Sequence, residues 1–179
     1  LVPFKTVGLT RCQVALRRVY PNNLVYLAMR RYERYEEYPH EGLTDNSTEQ
    51  TLFILNNPDD VVENQIALRE LTGGRLGAFY LTITGTNGKE YRSARHHIIV
   101  SDTGLTVKRT GRDLLVWANS IKTLEPVQNA LIQVFSAENQ ELFSATTDAE
   151  GLAAFEMKED TASGTPFLVT ARKDDDITY

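Results

Sequence analysis

The sequence predicts an all-β chain of two tandem antiparallel β-sandwiches, with a short helix in the first. Most of its apolar residues stand in short runs that alternate with polar residues or are rich in β-formers, with Gly, Pro, Asn or Asp between the runs. The charge is uneven, because residues 1–100 carry 12 basic and 11 acidic side chains whereas residues 101–179 carry 7 and 13. A length of 179 residues accommodates two small domains. We therefore expect domains over 1–101 and 102–179.

The first half contains four candidate strands and one candidate helix. The predicted strands are Cys12–Tyr20, Thr51–Leu55, Ala78–Thr84 and Tyr91–Val100. The dipeptide Asn87-Gly88 tolerates positive φ and predicts a hairpin before the last of them. Between Asn22 and Glu37 the apolar residues follow helical spacing, and Asn22 or Asn23 is a suitable N-cap after Pro21.

The second half contains five candidate strands at regular spacing, which is typical of a sandwich. They are Leu114–Ala118, Ala130–Phe135, Leu142–Thr146, Ala153–Met157 and Phe167–Ala171. Thr147–Gly151 has the chemistry of a tight turn and predicts a hairpin between two of these strands. Trp117, the only tryptophan, is predicted to lie buried in the core of this second domain.

Few residues offer chemistry. The chain has one cysteine, Cys12, so it forms no intrachain disulfide. A reactive cysteine needs a base or a cationic neighbour, and Cys12 stands instead in an alternating strand, where it is expected to pack as a small apolar residue. A zinc site needs three or four ligands; His96 and His97 are adjacent and point to opposite faces of a strand, and His40 is the only other histidine.

The acidic and glycine-rich runs also predict ordinary surface structure. Asp174-Asp175-Asp176 lacks the spacing and the glycine of a calcium loop and is interpreted as a solvated loop or linker, as are Glu36-Glu37 and Asp59-Asp60. Gly73–Gly77 precedes a strand, whereas a phosphate loop follows one, so it is interpreted as a turn. Asn46-Ser47-Thr48 fits a glycosylation acceptor, a pattern that is common by chance. The sequence therefore predicts no catalytic, no cofactor-binding and no metal-binding residues.

Composition limits the partners. The acidic second half argues against a nucleic acid or an anionic membrane surface, since phosphate binding needs a basic face. The sequence contains no run of eighteen apolar residues that would span a bilayer. Because the chain does not begin with Met, we expect it to be part of a longer polypeptide, with any targeting signal upstream.

Beyond residue 98 the sequence resembles a known family, the bacterial alpha-2-macroglobulins. Ile99–Val107, with its Ser-Asp-Thr-Gly-Leu core, resembles the junction strand between two of that family's macroglobulin-like domains. Four later segments resemble strands of the following domain, and two earlier ones resemble the preceding domain more weakly. These are Asp113–Thr123, Pro126–Phe135, Ala145–Phe155 and Phe167–Asp176, and then Val14–Leu27 and Gly77–Ile83.

The resemblance implies two immunoglobulin/fibronectin-like sandwiches of the macroglobulin type, acting as structural domains of a broad-spectrum inhibitor that traps proteases. It further implies a periplasmic or cell-envelope location, with a lipid anchor outside these residues as the only membrane contact. The partners would be neighbouring domains of the same chain and, through the whole protein, target proteases.

The family's thioester is built from Cys-x-Glu-Gln. Here Cys12 precedes Gln-Val-Ala, and Val62–Gln65 lacks the cysteine, so no thioester is expected. The family's bait segment lies elsewhere in a larger chain, and we expect this part to be a scaffold without enzymatic activity. Two alternatives stay open: an immunoglobulin-like interaction module of a cell-surface adhesin, and an accessory β-domain of a secreted hydrolase.

Overall fold

A computed structural model gives the architecture of the chain. It describes residues 1–30, 42–54, 60–86, 91–156 and 164–179. The strands, in chain order, are β1 Val2–Val7, β2 Arg11–Arg18, β3 Thr48–Phe53, β4 Val61–Ile66, β5 Gly77–Thr86, β6 Tyr91–Val100, β7 Thr103–Thr110, β8 Asp113–Ser120, β9 Leu131–Phe135, β10 Glu141–Thr146, β11 Leu152–Glu156, β12 Leu168–Lys173 and β13 Asp176–Thr178. The helices are a 3₁₀ turn at Pro21–Asn23, α1 Leu24–Arg30 and α2 Leu68–Thr72.

The described residues divide into two compact units. The first unit contains 1–19, 42–54, 60–75, 79–86 and 91–98, and the second contains 20–30, 76–78, 99–156 and 164–179. The helical segment that starts at Pro21 therefore groups with the second unit, where Asn139 Nδ2 donates a hydrogen bond to the Asn22 carbonyl at 3.2 Å. The domain boundary expected near residue 101 stays a prediction, since the spatial division is not a single cut in the sequence.

The first unit has a four-stranded sheet in the order β3-β2-β5-β6 and a separate two-stranded ribbon of β1 and β4. Alternation along β2 turns Cys12, Val14 and Leu16 to the core, where Val14 lies opposite Ile83 and Leu16 opposite Leu81 of β5. In the ribbon, β1 runs antiparallel to β4 in continuous register.

The second unit has two antiparallel sheets, in the orders β10-β9-β12-β13 and β11-β8-β7. One cluster of buried side chains from both sheets forms its core. Its members are Leu114, Val116, Ile132, Val134, Ala153 and Ala171. Two sheets that share one apolar layer make a β-sandwich, so the predicted all-β sandwich class is confirmed.

Within the described residues a strand occurs at each of the nine predicted positions, and β6 matches its prediction at both ends. The predicted strand ends Leu55 and Met157 lie outside the described residues. The predicted helix is present as the 3₁₀ turn followed by α1. Tyr20 is the N-cap of the 3₁₀ turn and makes no side-chain capping bond, because Pro21, with its fixed φ, begins that turn. The capping of α1 by Asn22 or Asn23 stays a prediction. Residues 31–37 of the predicted helix and the predicted Asn87-Gly88 turn lie outside the described residues.

The turn at Thr147–Gly151 forms as predicted, but the hairpin does not. Asp148 Oδ1 accepts hydrogen bonds from the backbone N–H groups of Glu150 at 3.0 Å and Leu152 at 2.8 Å, and Gly151 has a φ of 75°. The flanking strands β10 and β11 belong to different sheets. The turn therefore carries the chain across the sandwich, and a turn signal alone does not say which neighbour the next strand will pair with.

Candidate interdomain surface

Trp117 lies on the outer face of the second unit, so its predicted burial is wrong. Along β8, Leu114, Val116 and Ala118 point into the core and are almost fully buried. Because side chains alternate along a strand, Leu115 and Trp117 point outward, and 38% and 46% of their surface is exposed. Leu114, Val116 and Ala118 therefore fill the layer between the two sheets, and the indole of Trp117 lies outside that layer.

The outward side of the β7-β8-β11 sheet carries an apolar stripe. In register, Trp117 lies between Leu152 of β11 and Thr106 of β7. Two residues earlier on β8, Leu115 lies between Ala154 of β11 and Lys108 of β7. We call these six residues the Trp117 face. A half-exposed indole on a sheet with aliphatic neighbours is a surface suited to contact another protein domain.

The indole of Trp117 is held in place on this face. Its Nε1–H donates a hydrogen bond to the Glu150 carbonyl at 2.9 Å, which ties the ring to the turn before β11. A large ring with its polar atom already satisfied presents apolar area to a partner at little further entropic cost.

The Ser101-Asp102-Thr103 motif forms a polar network with Asp176. Asp176 Oδ2 accepts hydrogen bonds from the N–H of Asp102 at 3.0 Å, the N–H of Thr103 at 3.2 Å and the hydroxyl of Thr103 at 3.0 Å. Thr103 and Asp176 are both buried. The interpretation of Asp176 as part of a solvated loop is therefore wrong: it begins β13, and its carboxylate joins that strand to the start of β7.

The same motif also orders the turn after β8. Asp102 accepts a hydrogen bond from the Ser120 hydroxyl at 2.8 Å and one from the Lys122 N–H at 3.0 Å. The Asp102 carbonyl accepts a third from the Ile121 N–H at 2.6 Å. The network is thus structural, because its carboxylates accept hydrogen bonds from backbone N–H and hydroxyl groups and fix the ends of three strands.

Cys12 is buried on the inner face of β2. Desolvation by this burial raises the pKa of its thiol above the ordinary value of 9.0. A protonated, enclosed thiol is a poor nucleophile and a poor metal ligand.

The adjacent histidines lie on opposite faces of β6. The ring of His97 stacks on Tyr80 at a centroid distance of 5.2 Å and a tilt of 46°. His96 is exposed and lines a groove on the other side of the sheet. Within the described residues, no group of three or more His, Cys, Asp or Glu side chains is arranged to hold a metal ion. His40 lies outside them.

The other candidates occupy ordinary positions. Gly73 and Gly74 have φ values of 61° and 76° and end α2, which agrees with the predicted turn. Asp60 and Asn46 are exposed, and Val62–Gln65 lies within β4. Asp59 and Glu36-Glu37 lie outside the described residues. Among the described helices, none is long and apolar enough to cross a membrane.

Comparison with known proteins adds to this geometry. Residues 100–179 match the family described as "Bacterial alpha-2-macroglobulin MG3 domain". A comparison with curated protein sequences finds no match.

Solved structures of bacterial alpha-2-macroglobulins resemble almost the whole chain. A crystal structure of the native Escherichia coli protein spanning domains NIE-MG1 aligns with a TM-score of 0.77 at 17% identity, covering 98% of this chain and 85% of that one. The longer MG0-NIE-MG1 structure aligns with a TM-score of 0.69 at 19% identity and is covered to 56%. Salmonella alpha-2-macroglobulin reacted with methylamine aligns at 0.64 and 18% identity, with 98% of this chain and 10% of that chain covered.

The fold and the surface define an all-β module of two compact units, the second of which is a β-sandwich with an exposed apolar sheet face. The match places residues 100–179 in the bacterial alpha-2-macroglobulin family, and the resemblance that the sequence motifs carry is confirmed for this segment. At identities below one fifth, the structural likeness over the first hundred residues establishes a shared fold.

Proposed function

We propose that the chain is a scaffold within a longer, bacterial alpha-2-macroglobulin-like inhibitor that traps proteases. The supporting observation is the family match at residues 100–179, joined to a fold that covers nearly all of the chain. The chain spans 11% of the chain seen in the native conformation of Escherichia coli alpha-2-macroglobulin. It corresponds in fold to the NIE and MG1 domains of that protein, so in this proposal it supplies the equivalent domains of its own parent.

In this role the Trp117 face would pack against a neighbouring domain of the same polypeptide. Burying the exposed part of one indole and its aliphatic neighbours removes apolar area from water, at about 25 cal/mol per Å². The proposal also includes a periplasmic or cell-envelope location, which the kinship with bacterial alpha-2-macroglobulins supports. It assigns no catalytic residue to the chain, because the buried Cys12 thiol and the hydrogen-bonded carboxylates of Asp102 and Asp176 serve packing.

A trapping assay tests the proposal. The purified chain is titrated against trypsin with a large protein substrate and, separately, with a small peptide substrate; intact Escherichia coli alpha-2-macroglobulin is run in parallel as the positive control. We expect the chain to leave both cleavage rates unchanged at equimolar and tenfold ratios. Stoichiometric loss of protein cleavage with peptide cleavage spared would mean that the chain traps proteases by itself, and the scaffold assignment would then fail.

A further inference from the structure

The outer face of the four-stranded sheet in the first unit carries a shallow cleft. Along β2, Cys12 and Val14 point into the core, so Arg11 and Gln13 point outward. The cleft has a volume of about 340 Å³, which lies within the range of sites that bind ligands. Residues from all four strands line it, and we call six of them the outer cleft: Arg11, Gln13, Thr51, Thr84, Thr86 and Tyr91.

Two aromatic rings stand at the two sides of the outer cleft and are open to solvent. Tyr91 of β6 is 68% exposed. Phe53 of β3 is 81% exposed and is the cross-strand partner of Arg11, so it stands on the same outer face. Because β3 and β6 are the outermost strands of this sheet, three interstrand spacings of about 4.8 Å separate the strands that carry the two rings. A ligand that contacts both rings is therefore extended across the sheet.

A guanidinium lies between the two rings. Arg11 is exposed, and its side chain makes no ion pair with any residue that the structure describes. Glu49 of β3 is on the same sheet, but its two oxygens accept hydrogen bonds from Gln13 Nε2 at 2.7 Å and from the Ser47 hydroxyl at 2.9 Å. Among the described residues, no Asp or Glu lines the cleft. Arg11 therefore presents its donors to a ligand, and a carboxylate matches them with two parallel hydrogen bonds.

The main chain beneath the cleft is committed to the sheet. β2 is paired with β3 on one side and β5 on the other, and β5 is paired with β2 and β6. Their N–H and C=O groups point along the sheet into those pairings, so a ligand lying on the face meets side chains only. This disfavours an extended peptide, which gains much of its affinity from main-chain pairing at a sheet edge. The hydroxyls of Thr51 and Thr84 suit instead a ligand rich in hydroxyl groups, because each can donate and accept a hydrogen bond.

From these observations we infer that the outer cleft binds an extended acidic oligosaccharide, a chain of sugar rings that carries carboxylates. The apolar C–H faces of its rings pack on Tyr91 and Phe53, as aromatic side chains offer large flat apolar areas. A carboxylate of the ligand meets Arg11, and sugar hydroxyls exchange hydrogen bonds with Thr51 and Thr84. All of these residues belong to the first unit, and the inference does not depend on the proposed scaffold function.

The test is a titration of the full 179-residue chain, isotopically labelled and followed by nuclear magnetic resonance. The probe is trigalacturonate, and the control probe is its methyl ester, which has the same rings and no charge. We expect trigalacturonate to shift the backbone amide signals of Arg11, Gln13 and Thr84. The ester should bind about two- to fivefold more weakly, the loss expected for one exposed charge pair. Added salt should reduce the difference between the two probes, because it screens an exposed pair.

Variants separate the charge from the rings. Arg11→Gln should abolish the preference for the acid over its ester, whereas Arg109→Gln, the same change at an exposed position of β7 in the second unit, is the matched control and should leave both affinities within about twofold. Tyr91→Ala should weaken both probes by about three- to tenfold. Tyr91→Phe keeps the ring and should stay within about twofold. Each altered side chain is exposed, and circular dichroism checks that every variant is folded.

Three results would overturn the inference. The first is no shift of the Arg11, Gln13 and Thr84 amides with trigalacturonate at about 10 mM, a concentration that detects even millimolar binding. The second is equal affinity of the unaltered chain for the acid and its ester, since Arg11 would then not contact the ligand. The third is a shift of the same amides with protein concentration alone, together with a dimer in sedimentation experiments, which would assign the cleft to a second copy of the chain.

Discussion

The buried carboxylate of Asp176 gives the sharpest prediction for stability. Replacing Asp176 by Ala removes the acceptor of three hydrogen bonds, at 3.0, 3.2 and 3.0 Å. The Thr103 N–H keeps a second acceptor, the Ser101 hydroxyl at 2.9 Å, but the Asp102 N–H and the Thr103 hydroxyl lose the Asp176 oxygen that accepts from them. Each hydrogen bond to a charged acceptor is worth about 1.5–3 kcal/mol.

The full sum of these three bonds overstates the loss. Asp176 Oδ1 is buried and has no hydrogen-bond partner among the described residues. Folding therefore removes this oxygen from water without a replacement hydrogen bond, and this desolvation offsets part of what the three hydrogen bonds contribute. We therefore expect Asp176→Ala to lower the free energy of unfolding by about 3–5 kcal/mol, the usual loss when one partner of a buried charged contact is removed. Asp176→Asn keeps an acceptor of the same shape and should cost about 1–2 kcal/mol.

Urea unfolding followed by Trp117 fluorescence and by far-ultraviolet circular dichroism measures these losses, and the single tryptophan reports on the unit that contains Asp176. Asp174→Asn is the matched control: it removes one charge from an exposed residue and keeps a side chain that tolerates the φ of 53°. Its cost should stay within about 0.5 kcal/mol. If Asp176→Ala destabilises no more than Asp174→Asn, the network does not contribute to stability and the reasoning from its hydrogen bonds is wrong.

Trp117, Cys12 and Gly151 offer three further tests. Acrylamide should quench Trp117 in the native state, and Trp117→Ala should cost less than Ile132→Ala, a core truncation expected to cost about 2–5 kcal/mol; a fully protected indole would contradict the exposed face. Cys12 should react with a disulfide reagent only on unfolding. Because its thiol pKa is raised in the fold, its contribution to stability should be complete below pH 9.0 and decline as the pH rises through the folded value; fast native-state labelling at pH 7 would refute this. Gly151→Ala should lower stability to thermal unfolding more than Gly111→Ala does. Both glycines have positive φ, which costs an alanine about 1–2 kcal/mol, but a Cβ at position 151 would lie 2.5 Å from the Ala118 carbonyl oxygen, whereas one at position 111 meets no atom within 4 Å. Equal losses of stability would contradict the steric argument.

Local patterns were sufficient for the strands whose side chains alternate cleanly. Ala78–Thr84 falls within β5 because period-two patterning is encoded in adjacent positions, and Tyr91–Val100 was predicted as the return strand after the Asn87-Gly88 signal. The ribbon strands β1 and β4 went unpredicted, since Pro3 and the polar run Glu63–Gln65 obscure their alternation. Their pairing spans nearly sixty residues of sequence, and no local signal records such a contact.

The exposed indole marks a second limit. Alternation fixes that Trp117 and Val116 lie on opposite faces of β8, but it leaves open which face the core will take. Size favoured burying the indole, yet the layer between the sheets is filled by Leu114, Val116 and Ala118 against Ile132. The sequence did contain a signal for the correct face. Leu114, Val116 and Ala118 are three small or branched residues at alternate positions, and they form a continuous core face along the whole strand, whereas Trp117 is one large residue on the other face.

Asp176 unites the sequence motif and the fold. The Ser-Asp-Thr motif at 101–103 resembles a family junction, whereas the acidic run at 174–176 suggested a loop. In the structure the two segments meet, and the carboxylate that ends the run accepts hydrogen bonds from the N–H groups that begin β7. A carboxylate is well suited to this position because a single charged oxygen can accept hydrogen bonds from several converging donors. Hydrogen bonds to a neutral hydroxyl oxygen would be weaker. Ile177 and Thr178, β-branched and directly after the aspartates, were the local sign that a strand begins there. The motif thus supplies the donors, and Asp176 the acceptor, of the hydrogen bonds that join the start of β7 to β13, the last strand of the second unit. The motif together with an aspartate at the spacing of Asp176 is a more specific sequence signature of this contact than the motif alone.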